Sequence, residues 1–253
     1  MARRVVITGG ASGIGRAMAE AFLALGDRVA VCDYDQTLVH DMEATYPQCL
    51  SYCADVRDET AMSAFLENVD EIVGGVDVLI SNAGTGGPAG DIETLTYEDW
   101  RACISVNLDG AFLSCRWAAE RMKAQKSGLI MLISSTSGLF GVPYRSPYVS
   151  AKWGLIGLMK TLAIELGSAN VRVNAICPGA VEGERMERVL SIESEATGRP
   201  ISDIRVQYAD GVSLRRFILP QDIANMAVYL ASEAGCNISG QAISVDGNTE
   251  RMV

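Results

Sequence analysis

Val5-Val6-Ile7-Thr8-Gly9-Gly10-Ala11-Ser12-Gly13-Ile14-Gly15 decides the fold. It runs from an apolar, β-branched strand through a glycine-rich turn into a helical pattern at Arg16-Ala17-Met18-Ala19. Glycines allow a tight turn and let backbone approach a ligand closely, and a helix N-terminus offers free N–H groups and partial positive charge. Between a strand and a helix, such a turn reads as a pyrophosphate cradle built from Gly9, Ser12, Gly13, Ile14 and Gly15. Away from that context it is an ordinary βα turn.

Working outward, strand-like runs at 3–8, 28–33, 50–54, 76–81, 128–134, 171–176 and 242–245 alternate with helical patterns at 13–25, 37–46, 59–73, 98–125 and 148–166. Several strands are apolar almost throughout, as parallel strands covered on both faces are. The repeated alternation predicts a doubly wound α/β fold of the Rossmann type: one parallel sheet, helices on both faces, a single domain over residues 1–253. The rhythm lapses at 182–216, a charged stretch following a strand's carboxyl end. It reads either as a substrate-covering lid or as a plain solvated helix pair.

The 253 residues are 49% hydrophobic and carry a formal net charge of −10. An acidic surface repels phosphate backbones and anionic lipid, which argues against nucleic-acid and membrane-surface roles. No apolar run approaches the roughly 18 residues of a membrane span. Seven cysteines without a CxxC pair read as reduced thiols, and the expected location is the cytoplasm. His40 is the one histidine. That leaves no Ser-His-Asp triad and no histidine-rich metal site, and no metal is expected.

Asp33 ends the second strand, about 20 residues beyond the glycines, where a carboxylate accepts from adenosine ribose hydroxyls. It would repel a 2′-phosphate, which favours NAD over NADP; Ala11 and Ser12 supply no compensating cation, although Arg16 is one. The alternative is that Asp33 caps the next turn with Asp35. Asp55 and Val56 follow the third strand and are candidates for the adenine, Asp55 alternatively as a helix cap.

Tyr148 and Lys152 are four apart at a helix start and share one face. Free tyrosine, with a pKa near 10, is a poor base at neutral pH. A neighbouring ammonium favours the phenolate and draws the ionisation toward working pH. Such pairs also arise by chance, and the weight here comes from context. Ser135 lies 13 residues before Tyr148, Asn82-Ala83-Gly84 follows the fourth strand, Asn107 lies within 98–125, and Pro178-Gly179 follows the sixth strand.

This set, in this order, resembles the short-chain dehydrogenase/reductase family in its short single-domain branch, over essentially the whole chain. The resemblance implies an oxidoreductase moving a hydride between NAD and a small polar alcohol or ketone. Ser135 would hydrogen-bond the substrate oxygen, Tyr148 would exchange its proton, and Lys152 would hold the nicotinamide ribose and lower the pKa of Tyr148. Asn107 would anchor a water linking Lys152 to solvent. Asn82, Ala83 and Gly84 would support the cofactor, and Pro178, Gly179 and Val181 would fix its carboxamide. A homotetramer, or a homodimer, is expected.

Three positions depart from the family pattern: Gly183 replaces a frequent threonine, Ser81 a second asparagine before Ala83, and Asp246-Gly247-Asn248 a double glycine. Ser137, Arg145 and Arg185 are expected near the substrate. The arginines either meet a substrate anion or a lid carboxylate such as Glu182 or Glu184, or face solvent or a subunit interface. Two other functions fit the same motifs. One is an NADPH-dependent 3-oxoacyl-carrier reductase, against which Asp33 argues. The other is a non-catalytic dinucleotide-binding regulator, against which the complete set Asn107, Ser135, Tyr148 and Lys152 argues.

Overall fold

The computed structural model describes residues 2–250. Seven strands, β1 (Arg4–Thr8), β2 (Arg28–Asp33), β3 (Leu50–Cys53), β4 (Val78–Ser81), β5 (Gly128–Ile133), β6 (Val171–Pro178) and β7 (Ala242–Val245), form one sheet in the order β3-β2-β1-β4-β5-β6-β7. Every neighbouring pair is parallel. The chain starts in the middle, winds outward to β3, then crosses back to β4 and winds the other way. The crevice between the carboxyl ends of β1 and β4, where the winding reverses, is where such sheets bind ligands.

Nine helices connect the strands among the described residues: α1 (Gly13–Ala24), α2 (Gln36–Thr45), α3 (Glu59–Asn68), α4 (Tyr97–Ile104), α5 (Gly110–Gln125), α6 (Ser146–Gly167), α7 (Glu184–Thr197), α8 (Ile201–Asp210) and α9 (Pro220–Ala231). On one face of the sheet Met18 and Phe22 of α1 pack with Ile223 and Leu230 of α9 against Val5, Ile7 and Ile80. On the other, Met62 and Phe65 of α3, Cys115 and Met122 of α5, and Leu155 and Met159 of α6 cover Val6, Leu79 and Ile130. Burial on both faces is why the strands lack a polar alternation.

Side chains fix the starts of α2, α3 and α4. Asp35 accepts from Thr37 N and Leu38 N at α2, and Asp58 accepts from Thr60 N and Ala61 N at α3. Thr96 and Asp99 form a reciprocal capping box at α4. At α1 the cap residue is Ser12, whose side chain makes no cap hydrogen bond. The N-terminus aimed at the crevice therefore keeps its donors for a ligand.

All seven predicted strands form, and three features differ from the sequence reading. The helical stretches predicted at 59–73 and 98–125 change pitch to π-helix at Val69–Val73 and Ser105–Asp109. Helix α9 lies outside the helical patterns read from the sequence, although Pro220 at its first turn and its apolar period are a helix-start pattern. Residues 182–216 contain a helix pair, but not a fully solvated one. Met186, Leu190, Ile204 and Phe217 form an apolar cluster separate from the two sheet faces. Arg205 of α8 binds Glu182 and Glu187, tying the pair together across the turn.

Phe22 is wholly buried between α1, α9 and the sheet. Phe22→Ala is expected to lower stability by about 3–5 kcal/mol through lost burial plus the residual cavity. Urea unfolding should show a lower midpoint at unchanged m-value; a variant within about 1 kcal/mol of the parent would contradict this packing.

Candidate active site

The glycine-rich turn is latched to the neighbouring strand end. Asn82 Nδ2 donates to Thr8 O at 3.1 Å and to Gly9 O at 2.8 Å, while the Thr8 hydroxyl accepts from the amides of Asn82 and Ala83. A Cβ at Gly15 would lie 1.9 Å from Gly9 O and 2.6 Å from Asn82 Nδ2, so a side chain there would break the turn. Ser12 and Gly13 are exposed at the helix mouth, and a Cβ on Gly13 would meet open space. Open amides, a free Ser12 hydroxyl and a backbone with no side chain in the way fit a pyrophosphate.

Asp33 is buried and accepts from Ala11 N at 3.3 Å and Asp35 N at 3.4 Å. Burial pushes its carboxyl above the ordinary value, opposed by hydrogen bonds from the Asp35, Ala11 and Tyr34 backbone. Capping of α2 falls to Asp35, so Asp33 is left to close the edge of the glycine-rich turn. Arg16 is committed elsewhere: it binds Glu20 at 2.9 Å and also Asp41. Asp55 does not cap α3, a task Asp58 performs; it is gripped by Arg57, which holds its carboxyl below the usual range. Val56 is buried beside it.

At the chemical edge, Tyr148 and Lys152 sit on the first turns of α6, 9% and 2% exposed. Lys152 Nζ donates to Ile133 O at 3.0 Å, and its backbone carbonyl accepts from Ser134 Oγ at 2.9 Å. Ser135 leaves β5 in extended conformation, and its hydroxyl accepts from Ser137 N at 3.1 Å. Asn107 lies in the π-helical stretch, 1% exposed. Its Nδ2 donates to Thr85 O at 3.0 Å and Cys103 O at 2.9 Å, whereas its Oδ1 has no protein partner. A Cβ on Gly84 would lie 2.8 Å from that Oδ1 and 3.3 Å from Lys152 Nζ, so both polar ends converge on this glycine. Nothing in the sequence marks Ile133, whose contribution is a backbone carbonyl; Cys103 adds its sulfur, 3.6 Å from Asn107 Nδ2, to its carbonyl.

Burial alone would raise the Tyr148 phenol. Arg185, Lys152, the Ser135 hydrogen bond and Arg145 outweigh it, and the net ionisation lies below that of ordinary tyrosine. Three cations surround the ring: Arg145 at 5.3 Å, Lys152 at 5.6 Å and Arg185 at 5.6 Å from its centroid. Burial depresses Lys152 as well; nearby Tyr148 opposes this and Arg185 adds to it.

Just past β6, Gly179 N donates to Val245 O at 3.2 Å. Val181 bridges Ile218 through the flanking Ala180 carbonyl and Glu182 amide, which turns its own N–H and C=O away from that bridge. The departures from the family pattern have local causes. Gly183 adopts φ 131°, where threonine would be strained, and opens α7. Asn248 takes φ 65° directly after Gly247 at φ 68°; asparagine is among the few side chains that tolerate this region. Ser81 is buried, within 3.5 Å of the Ser114 hydroxyl.

Comparison with known proteins agrees with this geometry. A short-chain dehydrogenase/reductase model, described as enoyl-(acyl carrier protein) reductase, matches residues 9–248. The chain belongs to the short-chain dehydrogenase/reductase family. It is 34% identical over 246 residues to 3-oxoacyl-acyl-carrier-protein reductase FabG of Thermotoga maritima, covering 96% of this chain and 95% of the relative. A crystal structure of a variant actinorhodin polyketide ketoreductase with NADPH superposes with a TM-score of 0.94 at 29% identity, over 99% of this chain and 98% of that one. NAD+-bound xylitol dehydrogenase superposes with a TM-score of 0.92 at 25% identity, over 97% and 98%. As a member of this family the protein is a hydride-transferring oxidoreductase that binds a nicotinamide dinucleotide. Among the described residues no helix is long and apolar enough to cross a membrane.

The electrostatics of Tyr148 can be read without substrate. Of eight tyrosines, Tyr148 is expected to ionise below the ordinary range and Tyr208 only at about 12. Phenolate absorbance against pH should show one early component, absent from Tyr148→Phe and moved upward in Arg185→Met. Absence of an early component in the parent protein would contradict the arrangement.

Proposed function

We propose that the protein is an NAD-dependent dehydrogenase/reductase interconverting a small polar secondary alcohol and its ketone, with residues 182–216 covering the substrate. The observation that carries this reading is the buried Tyr148 phenol, held below its ordinary ionisation, against the burial that would raise it, by Arg185, Lys152, a hydrogen bond from Ser135 and Arg145. A phenol so poised matches general acid–base work near neutral pH.

The Gly9–Gly15 turn would hold the oxidised dinucleotide, which when bound would supply the acceptor for the carbinol hydrogen and both electrons of its C–H bond. As that bond breaks, the Tyr148 phenolate takes the O–H proton and the carbon–oxygen bond becomes a carbonyl. In reduction Tyr148 returns the proton. Ser135 orients the substrate oxygen. Lys152 spends one of its three N–H donors on Ile133 O, leaving two for the nicotinamide ribose hydroxyls. The unpartnered Asn107 Oδ1 is suited to hold a water that passes the proton on from Lys152.

NAD is favoured by charge. Asp33 occupies the end of β2 beside Ala11, and a 2′-phosphate there would meet a carboxylate. Arg16, the cation that would relieve this, is held by Glu20 and Asp41. The same two observations weigh against an NADPH-dependent oxoacyl-carrier reductase.

NADP turnover is expected to fall at least about tenfold below NAD turnover in kcat/KM, and Asp33→Ala should narrow that ratio, since repulsion and ribose hydrogen bonds go together. Equal use of both dinucleotides by the parent would remove the claim. Tyr148→Phe should lose at least about a hundredfold in kcat while dinucleotide affinity, measured by titration calorimetry, changes little. Lys152→Ala should impair both. A Tyr148→Phe enzyme at parental rate would rule out Tyr148 as the acid/base.

A further inference from the structure

Two arginines that carry neither the hydride nor the transferred proton stand over the catalytic tyrosine. Arg145 precedes α6 and is half-buried; Arg185 begins α7 and is exposed. Different elements bring them to one place, because a Cβ on Gly86 would lie 3.2 Å from Arg145 Nη2 and 4.0 Å from Arg185 Nη2. Their guanidinium carbons are 5.3 and 5.6 Å from the Tyr148 ring centroid.

The nearby carboxylates are spoken for. Glu182 binds Arg205 at 3.0 Å, Glu187 binds Arg205 as well, and Glu184 lies 3.8 Å from Arg188. Among the described residues neither Arg145 nor Arg185 forms an ion pair with a carboxylate. Arg145 spends one N–H on Gly86 O at 2.9 Å. The lid-carboxylate partner is therefore absent among the described residues, and both guanidinium groups lie over the Tyr148 ring although Arg185 is exposed. Two like charges held together beside a third, Lys152, repel one another, and they lose hydration when a substrate covers them. An anion between them removes both costs and supplies acceptors for the guanidinium forks.

We propose that Arg145 and Arg185 form an anion subsite beside Tyr148, which takes the acid group of a short hydroxy acid or its oxo acid. Resting on the dehydrogenase reading, this narrows the substrate to one carrying a carboxylate, sulfonate or phosphate a few bonds from the carbinol carbon. The subsite orients that carbon at the phenol by gripping the far end of the molecule. It also couples binding to chemistry. A seated anion cancels part of the field that favours the phenolate, so the Tyr148 ionisation moves upward when the acid binds.

The test uses non-reacting probes first. Butanoate, propane-1-sulfonate, propyl phosphate and the neutral methyl butanoate are titrated calorimetrically into the protein saturated with NAD. At least one acid is expected to bind tenfold or more tighter than the ester, and the strongest acid names the group. Arg145→Met and Arg185→Met should each lose about tenfold of that preference; Arg185→Lys should retain part of it. The phenolate absorbance of Tyr148 should shift to higher pH with the acid and not with the ester, a response a merely structural arginine would not give. Thermal melting of each variant at the parental temperature secures the fold. Equal binding of acids and ester, no binding of any acid, or undiminished acid binding by the Arg145→Met/Arg185→Met double variant would overturn the subsite. A panel of hydroxy acids is then assayed with NAD: acid binding without turnover would count against the dehydrogenase reading and leave the subsite standing.

Discussion

The site depends on keeping a lysine inside the protein. Lys152 is 2% exposed, with one hydrogen bond to Ile133 O and the Tyr148 ring beside it. An ammonium without water is stable only where acceptors and a developing anion replace hydration. That need ties α6 to the carboxyl end of β5: the Ile133 carbonyl takes the side chain and the Ser134 hydroxyl takes the Lys152 carbonyl. The contact that makes the lysine tolerable also sets Tyr148 and Ser135 side by side. Arg185, then Lys152 and Arg145, make the field that favours the phenolate.

The cofactor half is held by a different device with the same logic. Asn82 and Thr8 exchange hydrogen bonds across the β1–β4 switch point, and the close approach of Gly15 to Gly9 leaves no room for a side chain. One strand further along, the π-helical stretch at Ser105–Asp109 turns Asn107 toward Gly84 and Lys152. Local departures from regular helix are common where a fold aims a polar group into a site. The two halves therefore meet at Gly84, with cofactor supports on one side and proton-handling groups on the other.

Much of this was legible in the residues. Continuous apolar runs identify parallel strands because both faces are covered, and all seven strands form where that pattern occurs. The order of glycines, Asn82, Ser135, Tyr148 and Lys152 carries the site because each lies at a strand end or on the first turns of a helix, and Asn107 joins them from within a helical stretch. Less legible were features created by three-dimensional proximity. No spacing rule announces that 98–125 changes pitch at Ser105. Helix α9 is masked by the charged stretch before it, although its apolar residues follow a helical period. The arginines lie 40 positions apart, and only the return of β6 into α7 places Arg185 against Tyr148. Asp55 shows the opposite failure: a plausible cap by position, it is bound by Arg57 instead.

The central claim is that Tyr148, and no histidine, handles the proton. His40 is exposed on α2 and paired with Gln36. The most direct measurement is the pH profile of kcat/KM for alcohol oxidation with NAD, in the parent and in His40→Ala. The account predicts that the rate rises with pH through one ionisation below that of free tyrosine, since the deprotonated phenol is the base, and that the profile is unchanged by His40→Ala. A profile that moves with His40→Ala, or one that rises only at the ionisation of free tyrosine, would contradict it.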